Sequence, residues 1–223
     1  MAEDAPDPMT PLTLMQEHAV RDSFETFKDV MPTAMLFPKK PSLRRYCVRQ
    51  AVAALGTDGL FCEFGVWRGH GVNLMARMLA EDRVTVWGFD SFVGLEEDWT
   101  GHARGAETGR YSLDGVLPDV HKNVRLVKGW VQDTVPGWLE ENAGPLIFAH
   151  MDMDTYSPTA FTLGAIRHRL VAGSVILFDE LYGYPGWREH EYKALQENLP
   201  ADSYKYIGFS DQPVGIQMLR AVG

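Results

Sequence analysis

The sequence is short of the features that mark several common protein classes. Only two of its 223 residues are cysteines, Cys47 and Cys62. Neither belongs to a Cys-x-x-Cys pair, which removes a disulfide framework and a thiolate zinc or redox site; both are expected as small buried apolar residues. Lys plus Arg number 21 against 30 Asp plus Glu, a net charge of −9. The cationic surplus that phosphate-backbone binding requires is therefore missing, and nucleic acid is not an expected partner. No apolar run reaches about 18 residues, and no basic start leads into an apolar segment. No membrane association and a cytoplasmic location are expected. The dinucleotide fingerprint Gly-x-Gly-x-x-Gly is absent, which argues against a nicotinamide oxidoreductase. Internal repeats and low-complexity blocks are absent too.

What is present is the composition of an ordinary globular chain, 45% apolar, of a size for one domain with an appendage. Residues 1–12 hold three prolines and three acids and are expected as a mobile tail. Residues 13–58 follow a helical pattern, broken near Phe37-Pro38 and Pro41, with Ser42 as a plausible cap for the second helix. Residues 59–223 change character. Short apolar runs at 60–66, 84–90, 124–128, 145–152 and 174–179 alternate with helical stretches, the pattern of a parallel sheet covered on both faces. The runs 204–209 and 215–219 are too close together for a crossover helix and predict an antiparallel hairpin at one edge. Five parallel strands closed by such a hairpin are the layout of an S-adenosylmethionine (SAM) methyltransferase sheet, a Rossmann-like α/β fold. Residues 96–123 are long, polar and weakly periodic, as lids often are.

In an open α/β sheet the ligand lies beyond the carboxyl ends of the strands. The first run ends in Glu63-Phe64-Gly65-Val66-Trp67-Arg68-Gly69, an acid followed by glycines four residues apart. Such a turn lets backbone approach a ligand closely. The acid suits a cofactor with a cationic amino group and no pyrophosphate; a purely structural turn is the alternative. Asp90 ends the second run, 27 positions beyond Glu63, where a carboxylate can accept both hydroxyls of a ribose or cap a helix. After the third run, in Gly129-Trp130-Val131-Gln132, Gln132 is placed to bond an adenine edge while Trp130 or Val131 packs on its face; Trp130 is equally readable as core. The fourth and fifth runs end in Asp152-x-Asp154 and Asp179-Glu180. Carboxylates converging at neighbouring strand ends repel unless protonated, hydrogen-bonded or neutralised by a cation. Oxygen-only donors favour Mg²⁺, Mn²⁺ or Ca²⁺ over Zn²⁺. Asp154 as a helix cap and Glu180 in a solvated loop are the structural alternatives.

The stretches CEFGVWRG, GFDSFVGLEEDW, LVKGWVQDTVP, HMDMDTYSPT and VILFDELYGYPGW resemble those of the SAM-dependent macrocin-type sugar O-methyltransferases. A more distant likeness runs to the catechol-type O-methyltransferases. The resemblance implies that Gly65 and Gly69, with the intervening backbone of Val66, Trp67 and Arg68, hold the methionine part of SAM, with Glu63 near its amino end. It further implies that Asp90 binds the ribose and Gln132 the adenine; Ser91, Gly129 and Trp130 stand beside them as further cofactor-binding candidates. Asp152, Asp179 and Glu180 match three divalent-cation positions, expected for Mg²⁺. Glu180 departs from the expected Asp or Asn, and the lysine that serves the catechol-type enzymes as base is replaced by Thr155.

The chemistry so implied is in-line methyl transfer from SAM to a hydroxyl of a sugar or sugar-bearing small molecule, with S-adenosylhomocysteine (SAH) as product. Candidates for assisting proton removal are His190, Asp154 and Asp152, with His190 alternatively a helix-surface residue paired with Glu189 or Glu191. His150, inside an apolar run, is expected as a satisfied core residue or a support behind the cluster. Tyr182, Tyr184 and Trp187 suggest either a platform for a sugar face or packing under the lid. The apolar N-terminal helices point to a homo-oligomer. Two rival classes remain at this level: a non-catalytic SAM-binding or assembly protein, and a metal-dependent hydrolase using the same acids.

Overall fold

The computed structural model describes residues 10–102 and 107–222. Helix α1 (Pro11–Phe27) starts from Thr10, whose hydroxyl accepts the N–H of Thr13 while the Thr13 hydroxyl accepts that of Thr10, a reciprocal cap. Pro11 opens the helix at a position where its missing N–H is not needed. Helix thus begins inside the segment expected to be a tail; residues 1–9 of that tail lie outside the described residues.

Strand β1 (Met35–Leu36) was not predicted, being too short to show alternation. Helix α2 (Lys40–Leu55) carries Pro41 in its first turn and so begins before the expected cap Ser42. Then follow β2 (Leu60–Phe64), α3 (His70–Met78), β3 (Val86–Asp90), β4 (Val124–Lys128), α4 (Val131–Glu141), β5 (Leu146–Met151), α5 (Tyr156–Ile166), β6 (Val175–Phe178), α6 (Glu191–Asn198), β7 (Tyr204–Phe209) and β8 (Val214–Met218). Each predicted run lies within two residues of a strand at either end. No helix of the described residues is long and apolar enough to cross a membrane.

The strands form one eight-stranded sheet in the order β1-β7-β8-β6-β5-β2-β3-β4. The hairpin is present, but β8 enters between β6 and β7 and is antiparallel to both. A single strand therefore runs against the others, and β1, parallel to β7, closes that end of the sheet. Along the strands side chains alternate between two cores. Cys62, Phe64, Phe89, Ile176 and Phe178 face one way, and Phe61, Val86, Val175 and Leu177 face the other with Leu43, Cys47 and Ala51 of α2. Both cysteines are fully buried and free.

The chain leaves β2 toward β3 on one side, and β5 lies against β2 on the other. Strand order reverses at this pair, and the crevice above their carboxyl ends is where an α/β sheet takes a ligand. Residues 96–123 form no helix among those described; 103–106 of this expected lid lie outside them. The segment is fastened to α5 by Glu97, whose carboxylate accepts the Ser157 N–H and hydroxyl, both at 2.8 Å.

Candidate active site

A cavity opens above the β2–β5 junction, lined by the Gly65–Trp67 turn, the ends of β3, β4, β5 and β6, Leu95, and Glu96, Trp99 and Tyr111 of the segment expected to be a lid. The turn is shaped by contact between neighbouring strand ends. Gly65 has φ +90°, and a Cβ there would lie 1.7 Å from the Asp152 carbonyl oxygen. A side chain would push β5 away, so only glycine serves. Trp67 takes φ +46° in the same turn, uncommon for a bulky residue.

Asp90 holds that turn. Its Oδ2 accepts the backbone N–H of Val66 at 2.8 Å and of Trp67 at 2.7 Å, and its Oδ1 accepts that of Phe92 at 2.6 Å. It caps no helix; the carboxylate folds the loop first and keeps room for a further donor on Oδ1. Ser91 lines the cavity and shapes the next turn through Val93 N–H and the Gly94 carbonyl. Gly129 and Trp130 also line it. Arg68 and Gly69 stand behind the wall, with the Arg68 guanidinium 4.6 Å from the centre of the Trp67 ring. Gln132 does not reach the cavity: its amide donates to Glu96 at 2.7 Å, tying the lid to α4.

Glu63 is 1% exposed, lines the cavity, and keeps Oε2 without a hydrogen-bond partner. Gly71 leaves it room, since a Cβ there would come 2.3 Å from Glu63 Oε1. A buried carboxylate oxygen left unsatisfied is costly, and its position at the strand end fits a cationic amino group of a ligand. That is the feature of the cavity which best matches SAM.

The acids that close β5 and β6 converge on the cavity floor together with cations from α2. Lys40 Nζ lies 2.9 Å from Asp179 Oδ2 and 2.5 Å from Glu180 Oε1; Arg44 Nη2 lies 2.6 Å from Asp179 Oδ1 and 3.3 Å from Asp152 Oδ2. Four residues apart, these two share one helix face. His150 stands behind them, Nε2 at 3.3 Å from Asp179 and Nδ1 at 3.6 Å from Glu63. Asp152, Asp154 and Glu180 each offer an oxygen within 4.8 Å of the others, and a ring nitrogen of His150 lies within the same distance of oxygens of Glu63 and Asp152. Glu180 is buried rather than in a solvated loop, and Asp154 reaches the floor from a left-handed conformation, φ +65°, which Asp tolerates better than most residues. It caps no helix: the residue before α5 is Thr155.

Burial and charge crowding perturb Asp152, Asp154, Asp179, Glu180 and His150. Burial and the Asp179 charge push Asp152 up to about 7 against the pull of His150 and Arg44. Burial, then the neighbouring carboxylates, push Asp154 and Glu180 well above the usual range. Burial acts on Asp179 too, yet His150, Arg44 and Lys40 together hold it well below the usual range. For His150, burial and Arg44 oppose the proton, but bonds to Asp179 and Glu63 carry its pKa up to about 9. The group containing His150 mixes a nitrogen with its oxygens, whereas the all-carboxylate group offers only the oxygen donors that a hard cation prefers.

His190 stands apart from this arrangement. It is 5% exposed, outside the cavity lining, with Nε2 at 2.8 Å from the Thr100 carbonyl oxygen, to which it donates. Neither Glu189 nor Glu191 is its partner; Glu191 accepts the Glu180 N–H at 3.0 Å. Tyr182, Tyr184 and Trp187 are buried outside the cavity lining. Tyr182 and Trp187 pack on Phe27 of α1, so the aromatic run after Glu180 is core and not an open platform. Sequence reasoning missed Lys40 and Arg44. Their signal was a basic cluster, Lys39-Lys40 and Arg44-Arg45, in an otherwise acidic chain, but nothing local shows that it points at residues 108–140 positions away.

The sequence model of the macrocin-O-methyltransferase (TylF) family matches residues 33–202. Among solved structures, the calicheamicin methyltransferase CalS11 is 23% identical, with 96% of this chain and 94% of that one covered and a TM-score of 0.66. The O-methyltransferase NovP is 25% identical over 81% of this chain and 80% of that one, with a TM-score of 0.62. An O-methyltransferase from Bacillus cereus, solved in complex with SAH, is 15% identical over 96% and 94%, with a TM-score of 0.50. No curated protein matches the sequence. The fold is that of the SAM methyltransferases, and, with the family match spanning well over half of its length, the chain belongs to the macrocin-O-methyltransferase family.

Proposed function

We propose that the protein is a SAM-dependent O-methyltransferase acting, with a divalent cation, on a hydroxyl of a sugar or glycosylated small molecule. The observation that carries the reading is the buried Glu63 oxygen, unpartnered and facing a cavity at the strand-order reversal. The family membership and a solved relative described as a TDP-rhamnose 3'-O-methyltransferase support a sugar hydroxyl as acceptor.

SAM supplies an electrophilic methyl on a sulfonium, which the acceptor oxygen takes in line. Glu63 would bind the amino end, and the Gly65–Trp67 backbone, which lines the cavity, would lie along the methionine part. Asp90 accepts a ribose hydroxyl on Oδ1 while holding the turn through its other bonds. Trp130 and Val131 wall the adenine; Gln132 contributes by holding Glu96 and the lid. The carboxylates of the floor would hold a divalent cation, whose chemistry is to orient two acceptor oxygens and lower the pKa of the attacking hydroxyl. Proton removal falls to Asp152 or Asp154, both on the cavity wall, and not to His190. Alignment of acceptor and donor by these walls supplies several kcal/mol of the barrier reduction.

Calorimetric titration with SAH tests the reading. The wild-type chain binds SAH, and Glu63→Gln weakens binding by roughly tenfold or more, as expected for a bond between charged groups. Formation of SAH from SAM with a panel of nucleotide sugars and glycosides identifies the acceptor class, and EDTA abolishes that turnover. Absence of SAM and SAH binding by the intact chain overturns the proposal.

A further inference from the structure

Helix α1 adds nothing to the sheet and lines no part of the cavity. Among the described residues, the polar contacts it makes beyond itself all go to one loop, the stretch between β6 and α6. Gln16 donates to the Gly183 carbonyl at 2.7 Å, and the Ser23 hydroxyl accepts the Gly183 N–H at 3.0 Å. Asp22 receives Arg188 in a two-pronged pair, Nε to Oδ2 at 2.8 Å and Nη2 to Oδ1 at 2.9 Å, and accepts the Trp187 indole N–H at 3.2 Å. Phe27, buried at the end of the helix, packs on Tyr182 and Trp187.

The other side of the same loop is sewn to residues 99–102. Gly186 donates to the Gly101 carbonyl at 3.1 Å, His190 donates to that of Thr100 at 2.8 Å, and Tyr184 meets the rings of Trp99 and His102 edge-on. The two backbones are so close that a Cβ on Gly101 would lie 2.6 Å from Gly186 Cα. Trp99 lines the cavity, as does Glu180 where the loop leaves β6. The segment that carries Trp99 is tied first to α4 by Glu96 and Gln132, then to α5 by Glu97 and Ser157, and last to this loop. Trp99 therefore stands at the β5–β6 end of the cavity, away from Asp90 and Trp130. The Asp22–Arg188 pair is the ion pair that joins α1 to this assembly. Its side chains are 32% and 45% exposed, so it adds little to global stability; its two parallel bonds fix a direction instead.

We propose that Asp22 and Arg188 form a latch through which α1 positions the acceptor end of the cavity, holding Trp99 and Glu180 in place by way of the loop between β6 and α6. Both are positioning residues and touch no reactant. That this end takes the acceptor rests on the methyltransferase reading; the latch does not.

The test compares the full-length wild type with Asp22→Ala, Arg188→Met and the double variant. Hydrogen exchange followed by mass spectrometry should accelerate by roughly tenfold in peptides covering 181–190 and 96–102 in each single variant, the size expected for lost charged hydrogen bonds. Peptides covering 60–66 and 84–92 should be unchanged, and SAH titration should give an affinity within about twofold of wild type. The double variant should be no worse than the worse single one, because the two residues act as one unit. With a nucleotide sugar or glycoside that supports SAH formation, the acceptor KM should rise severalfold while the KM for SAM stays constant. Unchanged exchange over 96–102, additive effects in the double variant, or a loss of SAH affinity as large as the rise in acceptor KM overturns the proposal. If SAH binds but no sugar of the panel is methylated, the sugar reading falls and hydrogen exchange decides the latch. If SAH does not bind to wild type, the methyltransferase reading falls, and exchange again decides the latch.

Discussion

Arg44→Met isolates the electrostatics of the floor, because methionine keeps the apolar stem and removes the guanidinium. The Arg44 side chain is 16% exposed and bridges Asp179 (5% exposed) and Asp152 (26% exposed). Removing one partner of a buried pair costs about 3–5 kcal/mol. Lys40 and His150 remain on Asp179 and water reaches Asp152, so the expected loss is about 2–3 kcal/mol at pH 8. The pH dependence has a definite sign. Asp179 is held low when folded, so the stability it contributes is present above its unfolded pKa of about 3.9 and is lost below it. Loss of Arg44 erases part of that contribution. Asp152 is raised to about 7. Its contribution is complete below about 3.9 and is lost as pH rises through 7, and without the guanidinium that loss deepens. Both effects make the deficit larger at alkaline pH. Urea unfolding followed by tryptophan fluorescence should give the full deficit at pH 8 and about half of it at pH 5, where Asp152 is protonated in both chains. A deficit below about 0.5 kcal/mol at both pH values, or one that grows on acidification, would refute the argument that Arg44 balances a buried carboxylate pair.

Three further outcomes follow from the same geometry. Gly65→Ala drives a Cβ to 1.7 Å from the Asp152 carbonyl oxygen at φ +90° and should cost more than about 3 kcal/mol; a normal melting temperature would show that β2 and β5 part easily. His150→Gln should remove the stability that wild type has below about pH 6.5 and loses as pH rises through 9, the sign set by a raised histidine pKa; the fall in stability from pH 8 to 9.5 should be smaller in the variant, and an unchanged slope there would contradict the Glu63–His150–Asp179 linkage. His190→Gln should leave the pH profile of kcat for SAH formation unchanged while lowering stability by about 1–2 kcal/mol through the lost bond to Thr100; disappearance of one limb of that profile would restore His190 as the base.

The sheet was legible because parallel strands buried on both faces are short apolar runs, and the seven predicted runs needed nothing beyond local pattern. The spacing of Glu63, Asp90, Asp152 and Asp179 at the ends of those runs was enough to bring them to one edge. The place of β8 was not legible, since a hairpin specifies that its strands pair with each other but not which one enters the sheet. Nor was β1, whose two residues acquire strand geometry only from the exposed edge of β7.

What the sequence determined by itself is the set of chemically capable residues and the side of the sheet on which they gather, since both follow from period-two burial and from where each run ends. The tertiary structure decided what each of those residues is free to do. Asp90 is engaged by three backbone amides, Gln132 by the lid, His190 by Thr100 and Asp179 by two cations from a helix far away in the chain. Hydrogen bonds and ion pairs of this kind depend on distance in space, which only the packing of α2, the segment 96–123 and the strand ends against one another sets; among the described residues, only Glu63 and Glu180 of the cavity lining keep a buried carboxylate oxygen without a hydrogen-bond donor.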